Sequence, residues 1–156
     1  MNKVNQIIDY IVKVSPNGAQ HWYLNGNLHR EDGPAVMRPD GTQQWYRNGK
    51  LHREDGPAVV RPNGSQYWYL NGNLHREDGP AIVLSDGTQH WCLNGNLHRE
   101  DGPAIVLSNG TQYWYLNRKS FSEAEHKAQT QPKKLSPCAG QTVTIDGVDY
   151  VLTPKE

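Results

Sequence analysis

The five tryptophans of this chain, Trp22, Trp45, Trp68, Trp91 and Trp114, stand 23 residues apart, and the period never slips. Leu-His-Arg-Glu-Asp-Gly-Pro-Ala recurs in phase with them, starting at Leu28, Leu51, Leu74 and Leu97. A repeat this short is a supersecondary unit, stable only against its neighbours, so the chain must be an array and not a closed globule. Within one unit, Asp40-Gly41 and Asn48-Gly49 are dipeptides that tolerate the positive φ of hairpin turns, and both lie between β-favouring residues. Two-residue turns at both places would set Arg38 opposite Gln43 and Val36 opposite Trp45. Trp45, Arg47, Arg38 and His52 would then share one face, with Met37, Gln44, Tyr46 and Leu51 on the other. Glu54-Asp55-Gly56-Pro57 is a third turn, closing the unit. The expected fold is all-β: an elongated antiparallel array of 23-residue hairpin or meander units stacked into one twisted sheet.

The ends depart from the pattern. Ile11 to Pro16 enters the first unit half-way as a divergent cap, and at the far end Arg118-Lys119 replaces the turn glycine after Asn117. Ser122-x-x-Glu125 is a capping box predicting a short helix over the sheet edge. Residues 1–126 are thus expected to form the array with its caps, 127–141 a linker, and 142–156 a terminal hairpin about Asp146-Gly147.

The unit Trp-Tyr-x-Asn-Gly-x-Leu-His-Arg-Glu-Asp-Gly-Pro-Ala, over about Val12 to His126, resembles the MORN repeat, in the variant form found in bacteriophage arrays. That resemblance implies a scaffold for protein contacts, with self-association in some cases and antitoxin-like roles in related bacterial repeats. Trp-Tyr-Leu-Asn-Gly is also similar to the choline- and glucan-binding repeats of surface proteins, which makes a ligand-binding module the alternative. Those repeats carry a second tryptophan strand in each unit, which this chain does not have.

The His-Arg-Glu-Asp string has the residue types of acid–base and metal chemistry, yet an array keeps its copies apart. Two strands per unit at about 4.8 Å each separate equivalent histidines by roughly 10 Å, so His29, His52, His75 and His98 do not converge on one ion. Structural pairing is the expected role: arginine of one unit with glutamate or aspartate of the next, and aspartate capping the Gly-Pro turn. There is no unrepeated nucleophile–base pair and no phosphate loop, so no enzyme, metal or cofactor is expected.

Function is expected where the units differ. The residue before tryptophan varies as His21, Gln44, Tyr67, His90 and Tyr113; another position runs Ser15, Arg38, Arg61, Leu84, Leu107, and a third Leu24, Arg47, Leu70, Leu93, Leu116. Arg38, Arg47, Lys50 and Arg61 are expected as a basic cluster on the tryptophan face, giving way to Leu84, Leu93 and Leu107. Tyr67, His90 and Tyr113 form the competing partner surface on the opposite face. The predicted partner is a protein, acidic where it meets the arginines. Sixteen basic against sixteen acidic residues leave no overall field for nucleic acid. The two cysteines, Cys92 and Cys138, make no disulfide framework, and the Met1–Val14 segment has neither a cleavage site nor a membrane-length apolar run, so a cytoplasmic protein is expected.

Overall fold

The computed structural model describes residues 10–131, 142–146 and 148–151. The expected linker lies mostly outside them, as do the first nine residues. A 12-stranded antiparallel sheet runs through the array, in the order Ile11–Val14, Gln20–Leu24, Val36–Met37, Gln43–Gln44, Val59–Val60, Gln66–Tyr67, Ile82–Val83, Gln89–His90, Ile105–Val106, Gln112–Leu116 and Lys119–Phe121, with Asn27–Leu28 paired to Gln20–Leu24. Three further two-stranded ladders, such as Tyr46–Arg47 with Lys50–Leu51, lie beside it. The all-β repeat array expected from the period is therefore present, with one helix, Glu123–Thr130, near its end. Among the described residues no helix is long and apolar enough to cross a membrane.

Each unit is an interrupted meander. Gln43–Gln44 pairs on one side with Val36–Met37 and on the other with Val59–Val60 of the next unit. The return strand leaves after His52, runs out as the Arg-Glu-Asp-Gly-Pro loop, and rejoins at Ala58, so the excursion straddles Trp45. Trp45 accordingly changes partners: its N–H donates to the Ala58 carbonyl at 2.8 Å, while its own carbonyl accepts from His52 N–H at 3.0 Å. That change splits the strand at Trp45, Trp68 and Trp91, where a continuous strand was expected.

The two hairpin turns differ in kind. Asn48-Gly49 is a two-residue turn, both residues at positive φ (50° and 77°), joining Arg47 to Lys50 and Tyr46 to Leu51 as expected. At Asp40-Gly41 the loop has three residues: Arg38 N–H donates to the Thr42 carbonyl, Gly41 N–H to the Arg38 carbonyl, and Gly41 sits at φ 87°. The Asp40 carboxylate accepts the Thr42 amide at 2.8 Å, which favours this turn over the two-residue form. Val36 therefore faces Gln44, and Met37 faces Gln43. The expected pairing of Val36 with Trp45 is off by one residue, and a one-residue slip sends side chains to the opposite face.

A single layer of sheet has little room for large buried side chains. Among the described residues, the four alanines after the Gly-Pro turns, Ala35, Ala58, Ala81 and Ala104, are 0% exposed, and Val36, Val59 and Cys92 are also buried. Across residues 10–131 the tryptophans, the leucines and every tyrosine but Tyr113 are half-buried. Turn hydroxyls add links between units, as where Ser65 and Thr88 side chains accept the Ser85 and Ser108 amides.

Ser122 caps the helix as the sequence predicts, its hydroxyl accepting the Glu125 amide while the Glu125 carboxylate accepts the Ser122 amide. The helix continues to Thr130, four residues past the expected array boundary at His126. Thr142–Ile145 and Val148–Val151 pair as a hairpin about the predicted Asp146 turn.

Candidate functional site

The repeated His-Arg-Glu-Asp string is engaged in holding the array. Each arginine lies over the tryptophan of its own unit, with guanidinium-to-ring distances of 4.5, 4.2, 4.3 and 4.1 Å for Arg30, Arg53, Arg76 and Arg99. Its Nε donates to the aspartate two residues on, at 2.8–2.9 Å, and its Nη1 approaches the carbonyl of the following proline. The expected arginine pairing between units is thus corrected to pairing within a loop. The guanidinium over the indole is bound through Nε within its own loop.

Histidine makes the connection between units instead. His29, His52, His75 and His98 accept through Nδ1 the backbone amides of Asn48, Asn71, Asn94 and Asn117, the turn asparagines of the next unit, at 3.1–3.2 Å. At His29, His52 and His75 the same Nδ1 also lies 2.9–3.1 Å from the asparagine Oδ1, and in all four Nε2 faces the glutamate two residues on, at 3.2–3.7 Å. Sequence reasoning missed this staple; the constant 19-residue interval from histidine to asparagine was its visible trace.

The arginine hydrogen bond, and next its charge, hold the Asp32, Asp55 and Asp78 carboxyls below the ordinary aspartate value of 3.8. A depressed folded value contributes stability above the unfolded value and loses it as pH falls through the folded one. Carbon-detected titration of Asp55 should therefore show its midpoint below 3.8, and Arg53→Gln should return it toward that value. An unchanged midpoint in the variant would contradict the pairing.

The variable residues come together on the other side. Cross-strand partners form one row, His21, Val36, Gln44, Val59, Tyr67, Ile82, His90, Ile105 and Tyr113, while the reverse side of the same strands carries Gln20, Met37, Gln43, Val60, Gln66, Val83, Gln89, Val106 and Gln112. The second row repeats the same glutamine in every unit. The first changes in every unit. Arg61 belongs with the variable row: its guanidinium lies 5.0 Å from the centre of the Tyr67 ring. Around the Tyr69 phenol lie Tyr67, Cys92, Arg61 and Tyr46, and burial, then Tyr67, push its ionisation up. This is the tyrosine face, with tryptophans on the reverse.

The expected basic cluster is therefore divided. Arg61, and Arg38 at the equivalent position, lie on the tyrosine face beside Tyr67, His90 and Tyr113, not opposite them. Arg47, with its cross-strand partner Lys50, stays on the tryptophan side, where Arg47 meets Glu54 at 3.2 Å. The loop carboxylate thus supplies the acid that the strand pattern did not show. Likewise Leu93 parts company with Leu84 and Leu107. Among the described residues neither Arg38 nor Arg61 forms an ion pair, although Asp40 lies near Arg38 in its own turn.

Cys92 takes the place that tyrosine holds in the other units. It is 4% exposed, and burial pushes its thiol up to about 11, which makes it an inert packing residue. Among the described residues no group of three or more His, Cys, Asp or Glu side chains is placed to hold a metal ion. No model of a protein family matches the chain. No characterised protein matches it either.

Proposed function

We propose that the chain is a non-enzymatic protein-binding repeat scaffold, of the MORN-like kind its unit resembles, and that the tyrosine face carries the partner. The observation behind this reading is the two-sided ladder: the glutamine row repeats in every unit, whereas the row of His21, Gln44, Tyr67, His90 and Tyr113 changes while the backbone around it stays constant. Packing needs recurrence, and a surface that distinguishes a partner needs variation. Basic residues at one end of the face and leucine with aromatic residues at the other suit a partner that is partly acidic and partly apolar. A ligand-binding module of the choline or carbohydrate type is less favoured, because arginine stacks on Trp22, Trp45, Trp68 and Trp91 and takes up aromatic surface such a ligand needs.

A phage protein engaging or inhibiting a host factor is the setting the resemblance suggests, so a bacterial lysate is the first source to test. Proteins retained by the immobilised wild-type chain should be lost from an Arg61→Glu, Tyr113→Ala variant. A Gln66→Ala, Gln89→Ala variant, altered on the reverse of the same strands, should keep them. The opposite result would move the interface to the tryptophan side.

A further inference from the structure

The tyrosine face has a repeat distance as well as a composition. Arg38, Arg61, Leu84 and Leu107 occupy one position in successive units, each unit contributing two strands to the sheet. At about 4.8 Å per strand these side chains recur every ~9.6 Å along the array. A stretched chain rises about 3.1–3.3 Å per residue, so three of its residues cover roughly 9.3–9.9 Å. In the polyproline II form three residues also complete one turn, which returns every third side chain to the same side. A helix turns every 5.4 Å, so two turns span about 10.8 Å and drift from the array by about 1 Å in each unit.

Charge sets the order of residues along such a chain. Lys13, over the Tyr23 ring, together with Arg38 and Arg61, makes the early units basic. In the unit of Arg61 the turn residue is Asn63, so that turn supplies no carboxylate. The later units offer half-buried Leu84 and Leu107 beside His90 and Tyr113, the last 46% exposed.

We propose that the tyrosine face binds an extended segment of its protein partner, laid along the array, with acidic residues three apart over Arg38 and Arg61 and large apolar residues three apart over Leu84 and Leu107. The proposal rests on the protein-binding reading of this face and specifies the partner's form. Peptides of the pattern Glu-x-x-Glu-x-x-Leu-x-x-Leu, and the same pattern written backwards, with serine and proline as filler, test it against the full chain by fluorescence anisotropy. Controls of the same composition carry the glutamates and leucines four apart.

One of the period-three peptides should bind at least tenfold more tightly than the period-four controls. Arg61→Ala should weaken it several-fold at low salt, and added salt should narrow that difference. Equal binding of the two spacings, or no saturable binding of either period-three peptide up to millimolar concentration, overturns the extended register. In the first case the face itself still stands if Arg61→Ala and Leu107→Ala weaken both spacings alike. Binding indifferent to these substitutions would remove the face as well.

Discussion

Replacing Ala81 by leucine should destabilise the array by about 1–3 kcal/mol, toward the upper end, although the change adds apolar surface. Ala81 is 0% exposed, and its carbonyl accepts the Trp68 amide at 2.8 Å, the bond that joins a tryptophan to the strand of the following unit. The same bond recurs from Trp22, Trp45 and Trp91 to Ala35, Ala58 and Ala104, so the sheet closes at this point around a methyl group in every unit. A leucine there must push Ile82–Val83 away from Gln66–Tyr67, its neighbour in the sheet. Each unit is held chiefly by the units on either side, so loosening one junction reduces cooperation between the halves of the array. Urea unfolding followed by circular dichroism should show a lower midpoint and a broadened or divided transition. Ala81→Ser, close in volume, should stay near the wild type. A leucine variant as stable as the parent would show that the junction has slack the structure does not contain.

The second large effect is expected at the far end. Trp114 has no arginine loop of its own, because the chain turns into the helix Glu123–Thr130 after Phe121, and His126 takes the arginine's place. Its ring centre lies 4.9 Å from that of Trp114, tilted by 55°, and its Nε2–H donates to the Arg99 carbonyl at 2.7 Å. His126 is 1% exposed, the most enclosed of the large side chains described. His126→Ala would orphan a sheltered carbonyl, at about 1–3 kcal/mol, and lose an aromatic contact of about 0.5–1.5 kcal/mol, together on the order of 2–4 kcal/mol. An eight-residue helix has little stability of its own, so that loss should undock and unravel it. Hydrogen exchange should find the amides of residues 124–130 unprotected in the variant while those of the central ladder keep their protection. Full protection in 124–130 would mean that the capping box and the remaining contacts suffice.

Much of this molecule is written locally. The 23-residue period, the Asn-Gly turns with both residues at positive φ, the Ser122 capping box and the Asp146 hairpin each depend on backbone preferences within a few residues, and all appear as the sequence predicts. The face assignment does not. Whether Arg38 stands with Trp45 or with Gln44 turns on one residue of loop length at Asp40-Gly41, and both lengths suit that dipeptide. The choice is made by the Asp40 carboxylate on the Thr42 amide and by a ladder that must register with the strands on both sides. The partners within the His-Arg-Glu-Asp string were equally beyond reach of the sequence. Its charges allow pairing within a loop or between loops, and the nearby indole decides by holding the guanidinium over its own unit's tryptophan. Residue types and their spacing determined that a β-array forms and which positions vary. Only the packed sheet decided that Arg38, Arg61, Tyr67, His90 and Tyr113 share one side, because a side chain's face is set by the sum of every turn length before it in the ladder.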